Sequence, residues 1–177
     1  MSTRVDFKTP TFNVIRDLDQ PRPFYWIERP EAVVVVAVMD GRVALVAQER
    51  PAVKDRWSKS QLLELPAGRV DEGESYEACA ERELREEIGY AAGRILKIGE
   101  FFMSPGYSDE RMHLFYASEL AHDPLPADEG EVISVLWADA EELQRFLTNG
   151  AICDAKSMIG ILGFLKSPWL HGKQIVI

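Results

Sequence analysis

The chain has few cysteines with which to build thiolate metal sites or disulfide frameworks, and no apolar run long enough for a membrane-spanning helix. Its 177 residues include two cysteines, Cys79 and Cys153. Their spacing matches no metal or redox motif, and two are too few for a disulfide framework, so a reducing, cytoplasmic setting is expected. The longest uninterrupted apolar run is AVVVVAVM at 32–39. Eight residues are too short to cross a bilayer, and no signal-peptide pattern is read at the start. Positive charge is also scarce, with 20 Lys and Arg against 29 Asp and Glu and a net charge of −9. That balance excludes nonspecific nucleic-acid binding, which needs a basic surface. An acidic protein that binds phosphates ordinarily places a cation between the two negative partners. There are three histidines: His113 reads as an ordinary strand residue, and His122 and His171 as surface residues. No repeat, low-complexity tract or nucleophilic triad is present.

What remains is a chain of ordinary globular composition, long enough to bury a core without staples. Residues 1–30, with four prolines among aromatic and β-branched residues, read as a β-rich extension of two or three short strands. Residues 31–177 read as the main domain. Within it, Asp40-Gly41 between apolar runs predicts a tight hairpin, because a type I′ turn needs positive φ. The valine run predicts a strand buried on both faces. LLELPAG predicts one further short strand. A helix is expected from about Ser75 to Ile88, capped by Ser75 and stopped by Gly89. RILKIGEFFMS, RMHLFYASEL and VISVLWA predict strands, and two later helices each open on an aspartate. This order of elements predicts an α+β fold or a three-layer α/β sandwich.

The stretch GRVDEGESYEACAERELREEIGY, residues 68–90, holds eight acidic and three basic side chains, a net −5. On a helical wheel with Ala80 at zero, Leu84 falls near about 40° and Ile88 near about 80°, forming a buried stripe. Glu87 and Glu83 fall near about 340° and 300°, beside that stripe rather than opposite it, and Glu86 near about 240°. A run of acids is ordinarily a solvated face. Three carboxylates crowded at the edge of the core repel one another unless a cation lies among them, and hard cations such as Mg²⁺ or Mn²⁺ prefer such oxygen ligands.

The same stretch resembles the Nudix box, G-x5-E-x7-R-E-U-x-E-E-x-G-U, where U is a bulky apolar residue. Gly68, Glu74, Arg82, Glu83, Leu84, Glu86, Glu87 and Gly89 match; Tyr90 departs, standing where an aliphatic residue is usual. The resemblance extends over roughly residues 32–165. It implies the Nudix sandwich and hydrolysis of a nucleoside diphosphate linked to another group, with water attacking phosphorus while divalent metal neutralises the developing charge. It further implies Glu83 and Glu87 as principal metal ligands, Glu86 supporting them, and the backbone carbonyl of Ala67 completing the site. Arg82 would orient the carboxylates, with Glu74 as its structural partner.

The flanks QERP, ELPAG, SPGYSDE and DAKSMIGIL resemble the ADP-ribose pyrophosphatase branch, and Pro105 lies 15 residues beyond Tyr90, about where that branch carries a proline. This implies ADP-ribose as substrate, with AMP and ribose 5-phosphate as products. In PADEGEVISV, Glu129 matches the branch's general base and Glu131 its additional metal ligand, with Asp128 an open alternative. Arg50 is a candidate phosphate ligand, or else the partner of Glu49 or Glu64. Glu110 resembles the acceptor of the terminal ribose hydroxyls, and Tyr25, Trp26 and Arg29 stand where the branch builds its adenine site. The apolar run Phe24, Tyr25, Trp26 and Ile27 needs cover, and the branch implies a homodimer in which this segment reaches the other subunit. Two other readings stay open: a GDP-mannose-type nucleotide-sugar pyrophosphatase, and a module that binds ADP-ribose without hydrolysing it. The intact box glutamates count against the second.

Overall fold

The structure is a computed structural model and describes residues 2–53, 61–126 and 133–166. Three N-terminal strands, β1 (Thr3–Lys8), β2 (Asn13–Asp17) and β3 (Phe24–Glu28), form an antiparallel sheet in the order β1-β2-β3. All six residues of β1 are exposed, whereas Ile15 of β2 is buried. The extension thus has strands of its own and little core.

The main sheet holds β4 (Ala32–Met39), β5 (Arg42–Gln48), β6 (Leu62–Glu64), β7 (Ala67–Arg69), β8 (Tyr90–Phe102), β9 (Arg111–His122) and β10 (Ser134–Ala138). Its order is β10-β5-β4-β9-β8, with β6 beside β5 and β7 beside β4. β4 runs parallel to β9 and antiparallel to β5 and β7. Asp40 and Gly41 link β4 to β5 with φ of 51° and 75°, the left-handed pair a two-residue turn requires.

The valine run explains the layering. Val34 and Val36 point into a cluster with Leu143, Ile161 and Phe164, while Val33 and Val35 point into another with Cys79, Ala80, Leu84 and Ile88. The first cluster is covered by α2 (Ala140–Thr148) and α3 (Ala155–Lys166), the second by α1 (Tyr76–Glu83). One strand therefore buries alternate residues on both faces, which makes a three-layer sandwich.

Two local features differ from expectation. LLELPAG is not one strand. Pro66 has no N–H to donate to a ladder, and the Leu65 N–H leaves the sheet for Ser157 Oγ of α3 at 2.8 Å. The chain re-enters on the other side as β7, against β4. The helix after Ser75 also changes winding: α1 ends at Glu83 and Leu84–Ile88 form a π turn. Gly89 closes it at φ 80°, its N–H reaching Leu84 C=O. Such turns are frequent at functional sites.

Candidate active site

Arg82 is the hub of the site. Its Nε and Nη2 donate to the two oxygens of Glu74 at 2.9 and 3.0 Å. Nη1 donates to Glu83 at 2.6 Å and Glu86 at 2.9 Å. Nη2 also reaches the Arg69 carbonyl at 2.9 Å and Cys79 Sγ at 3.3 Å. Glu74 first, then Glu83 and Glu86, hold the guanidinium charged well above its ordinary range, and Arg82 in turn holds Glu74 below the ordinary carboxylate range. Burial pushes the Cys79 thiol beneath it upward, so it stays a neutral packing group.

Glu83 and Glu87 are each 8% exposed. Glu87 accepts the Ala67 N–H at 2.9 Å, which joins the end of the helix to β7. Glu83 lies over Gly68 so closely that a Cβ there would stand 1.8 Å from Glu83 Oε1. The glycine is therefore a matter of space, since its backbone is not left-handed. Among the described residues no three acids, histidines or thiols already converge as a metal cluster; Arg82 draws Glu83 and Glu86, and Ala67 draws Glu87. The donors nonetheless fit a hard divalent cation: oxygen ligands only, two of them nearly buried, in a cradle that a single Cβ would fill.

Arg50 gives Nε and Nη2 to the two oxygens of Glu64, both at 2.8 Å. Glu64 is 2% exposed, and Lys156 of α3 bonds both it and Asp154. Burial works to raise the Glu64 pKa, but Arg50 and Lys156 outweigh it and hold the carboxylate ionised. The structure thus pairs Arg50 with Glu64, one of the two partners the sequence offered.

Arg29 and Glu110 face each other, with Arg29 Nε 3.3 Å from Glu110 Oε1. The Arg29 N–H donates to Asp109 Oδ1 at 2.9 Å. Among the described residues Arg29 Nε, a buried donor, has no hydrogen-bond partner. Neighbours in β3, Tyr25 and Trp26 point to opposite faces. Trp26 stacks with Phe24, ring centroids 6.3 Å apart, and both line a hollow of about 280 Å³ with Phe102, Pro105, Ser108 and Asp109. Tyr25 is not among its lining residues. Asp128, Glu129, Glu131 and His171 lie outside the described residues.

Sequence reasoning passed over a second cluster. His113, read as an ordinary strand residue, is 1% exposed, stacks on Tyr76 with ring centroids 3.7 Å apart, and lies 2.9 Å from Glu31. Lys156 likewise lay inside a quoted motif without a role, and Glu64 was offered only as a possible partner of Arg50. A buried-strand position for an ionisable side chain was the available signal.

Residues 28–158 match the NUDIX domain family model. The chain is 36% identical to an ADP-ribose pyrophosphatase of Bacillus subtilis over 138 residues, covering 76% of this chain and 72% of that protein. It is 31% identical to a GDP-mannose pyrophosphatase of Yersinia enterocolitica over 170 residues, covering 92% and 86%. Among solved structures it superposes on a crystal structure of an ADP compounds hydrolase with a TM-score of 0.80 at 25% identity, covering 97% of this chain and 93% of that one.

Proposed function

The chain belongs to the NUDIX family and is a pyrophosphohydrolase; we propose that it hydrolyses ADP-ribose to AMP and ribose 5-phosphate with Mg²⁺, or Mn²⁺ in its place. The observation that carries this reading is the Arg82 hub with Glu83 set against Gly68. Similarity to the B. subtilis enzyme supports the choice of substrate.

In this reading Glu83 and Glu87 hold the metal, with Glu86 and the Ala67 carbonyl completing its surroundings. Bound there, the cation neutralises charge that develops on the phosphates as the P–O–P bond breaks. Arg82 fixes the carboxylates so that they need not reorganise during reaction. Glu129 accepts the proton of the attacking water, and that water's oxygen ends on one phosphorus while the other phosphate leaves. Glu131 supplies a further ligand oxygen. Trp26, with Phe24 beside it, gives the base a stacking surface, worth about 1–3 kcal/mol per base. Glu110 accepts from the terminal ribose, and Arg29, whose Nε lies 3.3 Å from Glu110, stands at the base site. Arg50 reaches a phosphate only with donors it does not spend on Glu64. Tyr25, on the opposite face of β3, serves the base site only if it faces a second subunit. The exposed strand β1 and the apolar run 24–27 suit such a homodimer. A chain with two cysteines, too few for a disulfide framework, suits a reducing compartment. No helix among the described residues is long and apolar enough to cross a membrane.

A second reading, hydrolysis of a GDP-mannose-type sugar nucleotide, is favoured by the Yersinia relative, whose similarity covers 92% of the chain. A panel of ADP-ribose, ADP-glucose, GDP-mannose and NADH, with Mg²⁺ and with EDTA, separates the two. ADP-ribose is expected to give the highest kcat/KM, and EDTA to abolish turnover. Higher kcat/KM on GDP-mannose replaces the first reading with the second.

A further inference from the structure

Glu31, the residue before β4, gathers donors from two layers of the fold. The Tyr76 hydroxyl and Arg111 Nη2 both donate to its carboxylate. Arg111 Nε donates at 2.9 Å, and His113 Nε2 lies 2.9 Å from the other oxygen. An ionised carboxylate can only accept, so that nitrogen carries a hydrogen. Burial works to raise the Glu31 pKa, but Tyr76, His113 and Arg111 outweigh it and bring it down to about 2. The Glu31 carbonyl also accepts the Val70 N–H at 2.9 Å, at the exit from β7.

Each partner sits at a working position. Tyr76 is the first residue of α1, whose far end carries Arg82 and Glu83. Its ring lies flat on the buried His113 of β9. Arg111 follows Glu110 directly, and the loop before it is stitched to β3 by Ile27 N–H to Tyr107 C=O at 2.8 Å and Asp109 N–H to Ile27 C=O at 3.2 Å. Residues 27–31 therefore touch the 104–110 loop at one end and the first turn of α1 at the other.

We propose that Glu31, acting through Tyr76, is a positioning residue for the metal-holding carboxylates: it fixes the start of α1 against β9 and so sets where Glu83 and Glu87 lie. This rests on the reading of that helix as the metal site. Glu83 lies seven residues beyond Tyr76, roughly 10 Å along the helix axis. A tilt of about 5° at the start moves Glu83 by about 1 Å, a displacement able to cost about 10²-fold in rate. The core contacts of Cys79, Ala80 and Leu84 hold the helix against the sheet. Apolar packing is non-directional and does not fix tilt as a hydrogen bond to a partly buried, multiply held carboxylate does.

The test uses Tyr76→Phe, which keeps the ring stack and deletes only the hydroxyl, and Glu31→Gln, which keeps the size and deletes the charge. Mn²⁺ binding to the protein without substrate is read by electron paramagnetic resonance, beside kcat, KM and Tm. Both variants are expected to weaken Mn²⁺ binding about 10-fold, as loss of a group that orients a ligand does. KM should stay within about twofold while kcat falls about 10-fold, since placement rather than substrate binding is disturbed. Because they break the same link, the double variant should be no worse than the more affected single one. Wild-type Mn²⁺ affinity and kcat in both variants, with only Tm lowered, overturns the proposal and leaves the cluster a structural one. Glu87→Gln is the control. If it abolishes Mn²⁺ binding while Tyr76→Phe and Glu31→Gln do not, this inference alone fails; if it leaves Mn²⁺ binding intact, the metal reading fails and this inference falls with it.

Discussion

Replacing Gly68 by alanine separates activity from stability. The new Cβ would stand 1.8 Å from Glu83 Oε1 and 2.0 Å from its Cδ. Real contacts at a Cβ stay beyond 3.0 Å, so the carboxylate has to retreat by about 1.2 Å. It moves as the end of a flexible side chain, which keeps the overpacking near the low end of its range, about 1 kcal/mol. Gly68 is not in the left-handed region. Alanine then restricts the unfolded chain and returns about 0.4–1 kcal/mol. The two nearly cancel, and Tm should change by no more than about 2–4 °C. Activity has no such compensation. With Glu83 as the proposed metal ligand, a shift of about 1 Å is expected to lower kcat about 10²-fold. The assay is Mg²⁺-supported hydrolysis of ADP-ribose on protein whose Tm is measured in parallel. Turnover within threefold of wild type would show that Glu83 need not lie over Gly68. A large fall in Tm with normal kcat would show that the glycine serves the fold instead.

Glu83→Gln and Glu87→Gln should each lower kcat by at least about 10²-fold with the fold intact by circular dichroism, since each removes a charged ligand of the proposed metal site. Glu129→Gln should reduce kcat more than KM, whereas Glu131→Gln should raise the Mg²⁺ concentration for half-maximal rate; a silent Glu129→Gln beside a crippled Asp128→Asn would reassign the base. Glu31 is ordinarily protonated near 4.5 and is held down to about 2 in the fold. A depressed pKa stabilises the native state above the unfolded value, so stability should fall as pH drops from 4.5 toward 2, and Glu31→Gln should flatten that fall in a urea titration. Light scattering at micromolar concentration should report a dimer; a monomer mass would remove the role given to the apolar run 24–27.

What was legible in the sequence was what repeats or lies close along the chain. The valine run carried its two-faced burial into two clusters, and Asp40-Gly41 carried its turn because positive φ is a property of the residues themselves. The wheel placed Glu83 and Glu87 at the core edge although it assumed α-helical winding throughout. The π turn begins only at Leu84, and the apolar residues it carries still face the sheet. What was not legible depends on partners far along the chain. The break at Pro66 is completed by Ser157, 92 residues beyond Leu65, and the role of Lys156 depends on Glu64 at the same separation. Glu31 acquires its meaning from Arg111 and His113, 80 and 82 residues on. No periodicity reports such pairs. The opposite facing of Tyr25 and Trp26 was legible in principle, because strand alternation alone separates neighbours.

The choice of arginine at position 82 follows from donor count and charge together. Its nitrogens address Glu74, Glu83, Glu86, the Arg69 carbonyl and Cys79, in directions a planar fork supplies. A lysine has three donors at one point and could not span Glu74 on one side and Glu83 with Glu86 on the other. One positive charge against those three carboxylates still leaves two negative charges in excess, and Glu87, bonded to the Ala67 N–H, makes it three. Backbone dipoles and one guanidinium fix where this charge sits without cancelling it. Holding like charges together in a half-buried site costs stability, and in the proposed function a divalent cation relieves the surplus. In that reading the arginine does not substitute for the metal. It aligns the carboxylates while leaving them the negative charge that binding a cation requires.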